Sequence, residues 1–233
     1  MSDETPSLAS LRALPLAELG RSAEGRPILG ALFGAPPDAA EVPLLVVGGV
    51  HGDEPSSVEA VAALGGRLAA GAVPAMPLIL VPALNPDGLA RGAKNSARDV
   101  DLNRNFPARN WRADHAPGYF PGAAPLSEPE TRLLAQLVDG RAVRGVIAVH
   151  APFACVNYDG PPTAAAWANA VAEVCGWPAR GDIGYPTPGS LGSWLGVDRG
   201  VPVLTLELPP GPHAAFGRQA AAALDEAVRP RTL

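Results

Sequence analysis

Four residues scattered along most of this chain, His51, Glu54, His150 and Glu207, are of the types that hold a metal ion and move a proton. His51 and Glu54 form a His-x-x-Glu pair inside Gly48-Gly49-Val50-His51-Gly52-Asp53-Glu54, where glycines let the backbone turn sharply and approach a ligand closely. A catalytic zinc takes three imidazole or carboxylate ligands and leaves a fourth position open, a requirement that His51, Glu54 and His150 fill. Such an ion brings the pKa of water towards ~7, and a carboxylate nearby can take the proton. Glu207 is the candidate base. Each residue has a plainer reading, since a histidine at a strand end is commonly just a satisfied polar group, and Glu207 could leave its strand on the solvent face. The argument lies in the coincidence, because three strands expected to be buried each finish on such a residue.

Asp101-Leu102-Asn103-Arg104-Asn105-Phe106-Pro107 sets an amide beside a guanidinium, and arginine grips a carboxylate in a two-pronged fork. A free substrate carboxylate is the natural guest of Asn103 and Arg104; the competing reading is that Arg104 pairs with Asp101 as a structural clamp. Upstream lie Lys94, Arg91 and Arg98, any of which could polarise a scissile carbonyl. Tyr185 opens a run of turn formers to Trp194, suited to a mobile wall over a substrate or to an ordinary surface loop. Asp159 and Asp182 lie on segments that could line the same pocket. No Gly-x-Ser-x-Gly elbow accompanies these residues, which disfavours a serine hydrolase.

The elements that must position them follow from apolar patterning. Residues 42–50, 77–82, 143–149 and 201–208 are nearly unbroken apolar runs, the pattern of strands covered on both faces. A further strand is expected within 21–33, after a charged turn. Helices are expected over 55–70, from Ser127 to about Val138, over 163–175 and over 213–228, with a turn at 85–88. From 89 to 127 the pattern is lost, and a stretch of that length inside a compact domain is more often a functional loop than a spacer. Strands alternating with helices predict an α/β fold, a three-layer α/β/α sandwich on a mixed, mostly parallel sheet. The whole of 1–233 reads as one domain.

A net charge of −5 and the lack of any Lys/Arg run argue against nucleic acid as a partner. The acidic start, Met1-Ser2-Asp3-Glu4, lacks the basic and apolar regions of a leader, and no apolar run could span a bilayer, so a cytoplasmic protein without membrane partners is expected. Cys155 and Cys175 read as buried apolar residues with no catalytic role.

From about Gly20 to Leu208 the sequence resembles the zinc carboxypeptidase family. The likeness is carried by Gly25-Arg26-Pro27-Ile28, GGVHGDEPSS (48–57), NPDG (85–88), DLNRNFP (101–107), SEPET (127–131), the strand ending in His150, and TLELPP (205–210). HAPFACVNYDGP (150–161) and GYPTPGSLGSWLG (184–196) are most similar to a compact bacterial branch that acts on cell-wall peptides. The resemblance implies one Zn²⁺ per chain on His51, Glu54 and His150, and Glu207 as catalytic glutamate. It implies Asn103 and Arg104 on the terminal carboxylate, Lys94 in place of the family's carbonyl-polarising arginine, and Tyr185 as the mobile tyrosine. It further implies a small murein peptide as substrate, cut at the γ-D-glutamyl-meso-diaminopimelate bond during recycling. The competing functions are an N-acyl amino acid deacylase of the aspartoacylase or succinylglutamate desuccinylase type, and a non-catalytic zinc- or peptide-binding module.

Overall fold

A computed structural model describes residues 11, 14–34, 42–74, 76–140 and 142–229; the acidic N-terminus lies outside them. Among these residues eight strands form a single sheet. They are β1 (Ala17–Arg21), β2 (Pro27–Phe33), β3 (Leu44–Val47), β4 (Leu78–Val81), β5 (Gly145–His150), β6 (Cys155–Asp159), β7 (Ala179–Arg180) and β8 (Val203–Glu207). Their spatial order is β1-β2-β4-β3-β5-β8-β6-β7. The pairings β4-β3, β3-β5, β5-β8 and β6-β7 are parallel, and β1-β2, β2-β4 and β6-β8 antiparallel.

Every residue of β3, β4 and β5 is buried, because both faces of the sheet are covered. Alternating residues feed two cores. Leu44, Val46, Leu78, Leu80, Ile147 and Val149 pack under α1 (Pro55–Ala69), α4 (Pro162–Cys175) and α5 (Gly217–Ala227). Leu45, Val47, Ile79, Val81 and Val146 pack under α3 (Pro129–Gly140), Phe106 and Trp194. This is the expected three-layer sandwich. The two cysteines are free thiols buried in it. No helix among the described residues is long and apolar enough to cross a membrane.

Three expectations are corrected. NPDG is not an isolated turn but the start of α2 (Pro86–Arg91): the Asn85 side chain accepts from Gly88 N at 2.8 Å, and Gly92 closes the helix in the left-handed conformation. The run from Tyr185 to Trp194 is not loop throughout, because Gly192–Asp198 winds into a π-helical turn. The last helix is shorter than 213–228, with a separate 3-10 turn at His213–Ala215.

Candidate active site

The central strand β3 runs into His51, β5 ends on His150 and β8 on Glu207, and the three parallel neighbours finish at the same edge of the sheet. His150 and Glu207 are direct partners across β5 and β8. This is the edge where chain direction diverges from β3 towards β4 on one side and β5 on the other, the usual place for a ligand crevice in such sheets. Gly52 permits the approach of the His51 turn to α2, since a Cβ there would lie 2.0 Å from the carbonyl carbon of Gly88. Glu54 is the N-cap residue of α1, so its backbone position is fixed by the helix and by Ser57, whose Oγ donates to Glu54 O at 2.7 Å.

Glu54 bridges the two imidazoles. Its Oε1 lies 2.8 Å from His51 Nδ1, and its Oε2 lies 3.0 Å from His150 Nδ1 and accepts from Ala151 N at 3.2 Å. One ligand atom from each of His51, Glu54 and His150 falls within 4.8 Å of the others. Burial disfavours charge on His51, yet the hydrogen bonds to Asp101 and Glu54 outweigh it and push its pKa up to about 9. Burial would likewise raise Glu54, but His150 and His51 overcome it and hold the carboxyl down at about 2. Two imidazoles and a carboxylate within this distance are the donors zinc takes, so the cluster is a possible metal site that fits the ion.

Glu207 lines the same cleft. It is 4 % exposed, and its Oε2 is buried with no hydrogen-bond partner. Burial raises its pKa; His150 opposes that and Glu54 adds to it.

Asn103 and Arg104 also border the cleft, on a short 3-10 turn, Leu102–Arg104. Arg104 does not clamp Asp101. Its Nη1 donates to Asn103 O at 2.7 Å, and among the described residues no carboxylate lies within ion-pairing distance, although the side chain is only 5 % exposed. Asn103 Oδ1 accepts from Leu191 N at 3.0 Å, which ties this turn to the 184–196 segment. Of the three candidate cations only Lys94 borders the cleft. Arg91 pairs with Glu24, and Arg98 sits 3.8 Å from Glu128, both on the outside. Lys94 Nζ donates to Asp101 Oδ2 at 2.6 Å and to Gly118 O at 3.1 Å, and lies 3.7 Å from the centre of the Tyr119 ring. Tyr185 stands at the mouth with its ring near Tyr119 and Phe153, and the Arg104 guanidinium is 6.0 Å from its centre.

Asp101 is the site residue that sequence reasoning missed in this role. Its Oδ1 lies 3.1 Å from His51 Nε2 and also accepts from Asn103 N at 2.9 Å, while its Oδ2 holds Lys94. The available signal was an acid directly before the Leu-Asn-Arg turn, but nothing in the sequence points it at a histidine fifty positions away.

The sandwich and the His/Glu/His cluster define a metallohydrolase architecture, and a profile described as zinc carboxypeptidase matches residues 12–169. The chain belongs to the zinc carboxypeptidase family, whose members are zinc-dependent peptidases and amidases. It is 34 % identical over 201 residues to murein peptide amidase A of Escherichia coli strain K12, covering 80 % of each chain. The Vibrio campbellii murein peptide amidase A is 32 % identical over 178 residues, 71 % of this chain and 69 % of that one. Among solved structures, the murein-tripeptide amidase of Escherichia coli O157 superposes with a TM-score of 0.77 at 30 % identity over 99 % of both chains. Carboxypeptidase A of Helicoverpa armigera gives the same TM-score at 18 % identity, over 95 % of this chain and 69 % of that one, a likeness of fold.

Proposed function

We propose that this chain is a murein peptide amidase, hydrolysing the amide between γ-D-glutamate and meso-diaminopimelate in cytoplasmic peptides recovered from the cell wall. The observation that carries the reading is that one cleft holds the His51/Glu54/His150 cluster together with Glu207, whose buried Oε2 has no hydrogen-bond partner, and the buried Arg104, which has no carboxylate within ion-pairing distance among the described residues. The likeness to murein peptide amidases over 80 % of the chain supports the choice of substrate.

His51, Glu54 and His150 would hold one zinc ion per chain, in a single peptidase domain spanning 1–233. Zinc supplies a Lewis acid for a carbonyl oxygen and makes water acidic enough to attack near neutral pH. The chain's own residues do the rest. Arg104, with Asn103 beside it, grips the carboxylate of the diaminopimelate residue, which fixes the scissile amide over the cluster. Glu207 accepts the proton of the attacking water at its unpartnered Oε2 and passes it to the amide nitrogen as the C–N bond breaks, so that the leaving group departs as the neutral amine. Lys94, anchored by Asp101 and Gly118, places a fixed positive charge beside the cleft for the carbonyl oxygen. Tyr185 covers the bound peptide from the mouth.

The test is product analysis by mass spectrometry after incubating the zinc-loaded protein with L-alanyl-γ-D-glutamyl-meso-diaminopimelate. The expected products are L-alanyl-D-glutamate and free diaminopimelate, formed with uptake of one water, lost on chelation and regained with zinc. Turnover of acetyl-aspartate or succinyl-glutamate in place of the tripeptide would establish the deacylase instead, and zinc binding without hydrolysis of any of the three would leave a binding module.

A further inference from the structure

Lys94 is the only lysine in the chain; every other Lys/Arg position carries arginine. Its surroundings suit an ammonium. Nζ donates to Asp101 Oδ2 at 2.6 Å and to Gly118 O at 3.1 Å, and the centre of the Tyr119 ring lies 3.7 Å away. An ammonium has three donors on a compact point charge, so two oxygens and a ring face can meet it together, whereas a guanidinium presents its donors in one rigid plane.

The seat is made by the irregular stretch between 89 and 127 closing on itself. Tyr119 N donates to Ala116 O at 3.1 Å, which forms a turn, and Asp101 N donates to Phe120 O at 2.8 Å, which ties that turn to the acid holding Lys94. Gly118 stands in the turn with a φ of 80°, a conformation that glycine adopts without strain, and the turn offers its carbonyl and the next residue's ring to one ammonium. Of the three partners of that ammonium, the Asp101 carboxylate is shared with His51 and Gly118 contributes backbone. Tyr119 is thus the partner that a substitution can remove without disturbing the metal cluster. It lines the cleft and is 36 % exposed, so truncating it opens no hole in either core.

A cation over a ring face is attracted by the ring quadrupole, and the ring keeps water from that side of the charge. A charge fixed before the reaction needs no reorganisation when a carbonyl oxygen turns negative. We infer that Tyr119 is a positioning residue for Lys94, whose ring face holds the ammonium at the place where it acts on the carbonyl. The inference rests on the reading of Lys94 given above. Tyr119 acts through Lys94, so its effect falls on kcat rather than KM. The Arg104 guanidinium also lies 5.3 Å from the centre of the Tyr119 ring, and an effect transmitted through Arg104 would fall on KM instead.

Two measurements on the zinc-loaded protein test this. The first is NMR with isotope-labelled lysine, which reports Lys94 alone. Protons over a ring face are shifted upfield, so the Lys94 ε-methylene signal is expected upfield of free lysine in wild type and Tyr119→Phe, and near the free position in Tyr119→Leu. The second is kinetics on L-alanyl-γ-D-glutamyl-meso-diaminopimelate. Tyr119→Leu is expected to lower kcat by roughly five- to tenfold with KM held within about twofold, and Tyr119→Phe to stay within about twofold of wild type. In a Lys94→Ala background, Tyr119→Leu should lower kcat by less than about twofold further. An unshifted Lys94 signal in wild type overturns the inference whatever the activity. So does a Phe variant as slow as the Leu variant, a loss that falls on KM, or an undiminished loss in the Lys94→Ala protein. Full kcat in Lys94→Ala would overturn both this inference and the carbonyl role of Lys94. A ring-shifted signal in a wild type that does not cleave the peptide would instead leave the Tyr119 seat standing and remove the substrate reading.

Discussion

The Nε2 of His51 lies 3.1 Å from Oδ1 of Asp101, on the opposite side of the ring from Glu54. A hydrogen on Nε2 donated to that carboxylate leaves the Nδ1 lone pair facing the cluster, so Asp101 selects the tautomer that can hold a metal. Replacing Asp101 with Asn is expected to weaken zinc affinity by roughly 10- to 100-fold. Competition against a chromophoric chelator measures it; unchanged affinity would mean that the Asp101 contact does not set the ring's orientation.

Glu207→Gln tests the other side of the cleft. The amide fills the same space but cannot accept a proton, so zinc and fold should be retained while turnover falls by roughly 10²- to 10⁴-fold. The wild type carries a pH signature as well. The base form is the carboxylate, so activity is expected to fall as pH drops and Glu207 takes up a proton. A kcat/KM profile with no acidic limb would remove Glu207 from the base role.

Arg104 should act on binding. A charge-assisted fork to a carboxylate contributes about 1.5–3 kcal/mol, so Arg104→Ala is expected to lower kcat/KM by roughly 10- to 100-fold on peptides with a free terminal carboxylate. Arg104→Lys should recover only part, because lysine keeps the charge and loses the planar fork. A carboxyl-amidated analogue is the control: an equal loss on both substrates would place the effect of Arg104 elsewhere.

The legible parts of this molecule are those whose surroundings are uniform. β3, β4, β5 and β8 are covered on both faces, so their sequences are unbroken apolar runs, and the residues that interrupt the pattern at their ends, His51, His150 and Glu207, stand out for that reason. β6 was hidden because Asn157 and Asp159 line the cleft and break the apolar pattern of a strand that lies inside the sheet. β1 and β7 are edge strands with exposed residues, and a two-residue strand leaves no period to read. In the run from Tyr185 to Trp194, glycines read as turn formers, but Gly192 is the residue that lets a π-helical turn pass against Asp159. Asp101 illustrates the general limit: its partners Lys94 and His51 are set by tertiary packing, and no local spacing encodes that.

Away from the cleft, Asp87 holds the β1-β2 connection to α2. It is fully buried, and its Oδ1 accepts from Ser22 Oγ at 2.7 Å and Arg26 Nη1 at 2.7 Å, while Oδ2 accepts from Glu24 N at 3.0 Å. Burial would raise its pKa, but the hydrogen bonds from Arg26 and Ser22 outweigh that and hold the carboxyl below its usual range. A carboxyl lowered in the folded state adds stability that is present in full above about pH 4 and is lost as pH falls through the folded value. Asp87→Ala strands a hydroxyl and a backbone N–H, so a loss of about 2–4 kcal/mol is expected at pH 7. Part of the Arg26 contribution is screened by solvent, since that side chain is 42 % exposed. Denaturant melts of wild type and Asp87→Ala at pH 7 and pH 3 check both the size and the sign: the difference between the two proteins should shrink at the lower pH. A gap that is constant, or that widens with acid, would show that the Asp87 charge contributes nothing to holding the hairpin on α2.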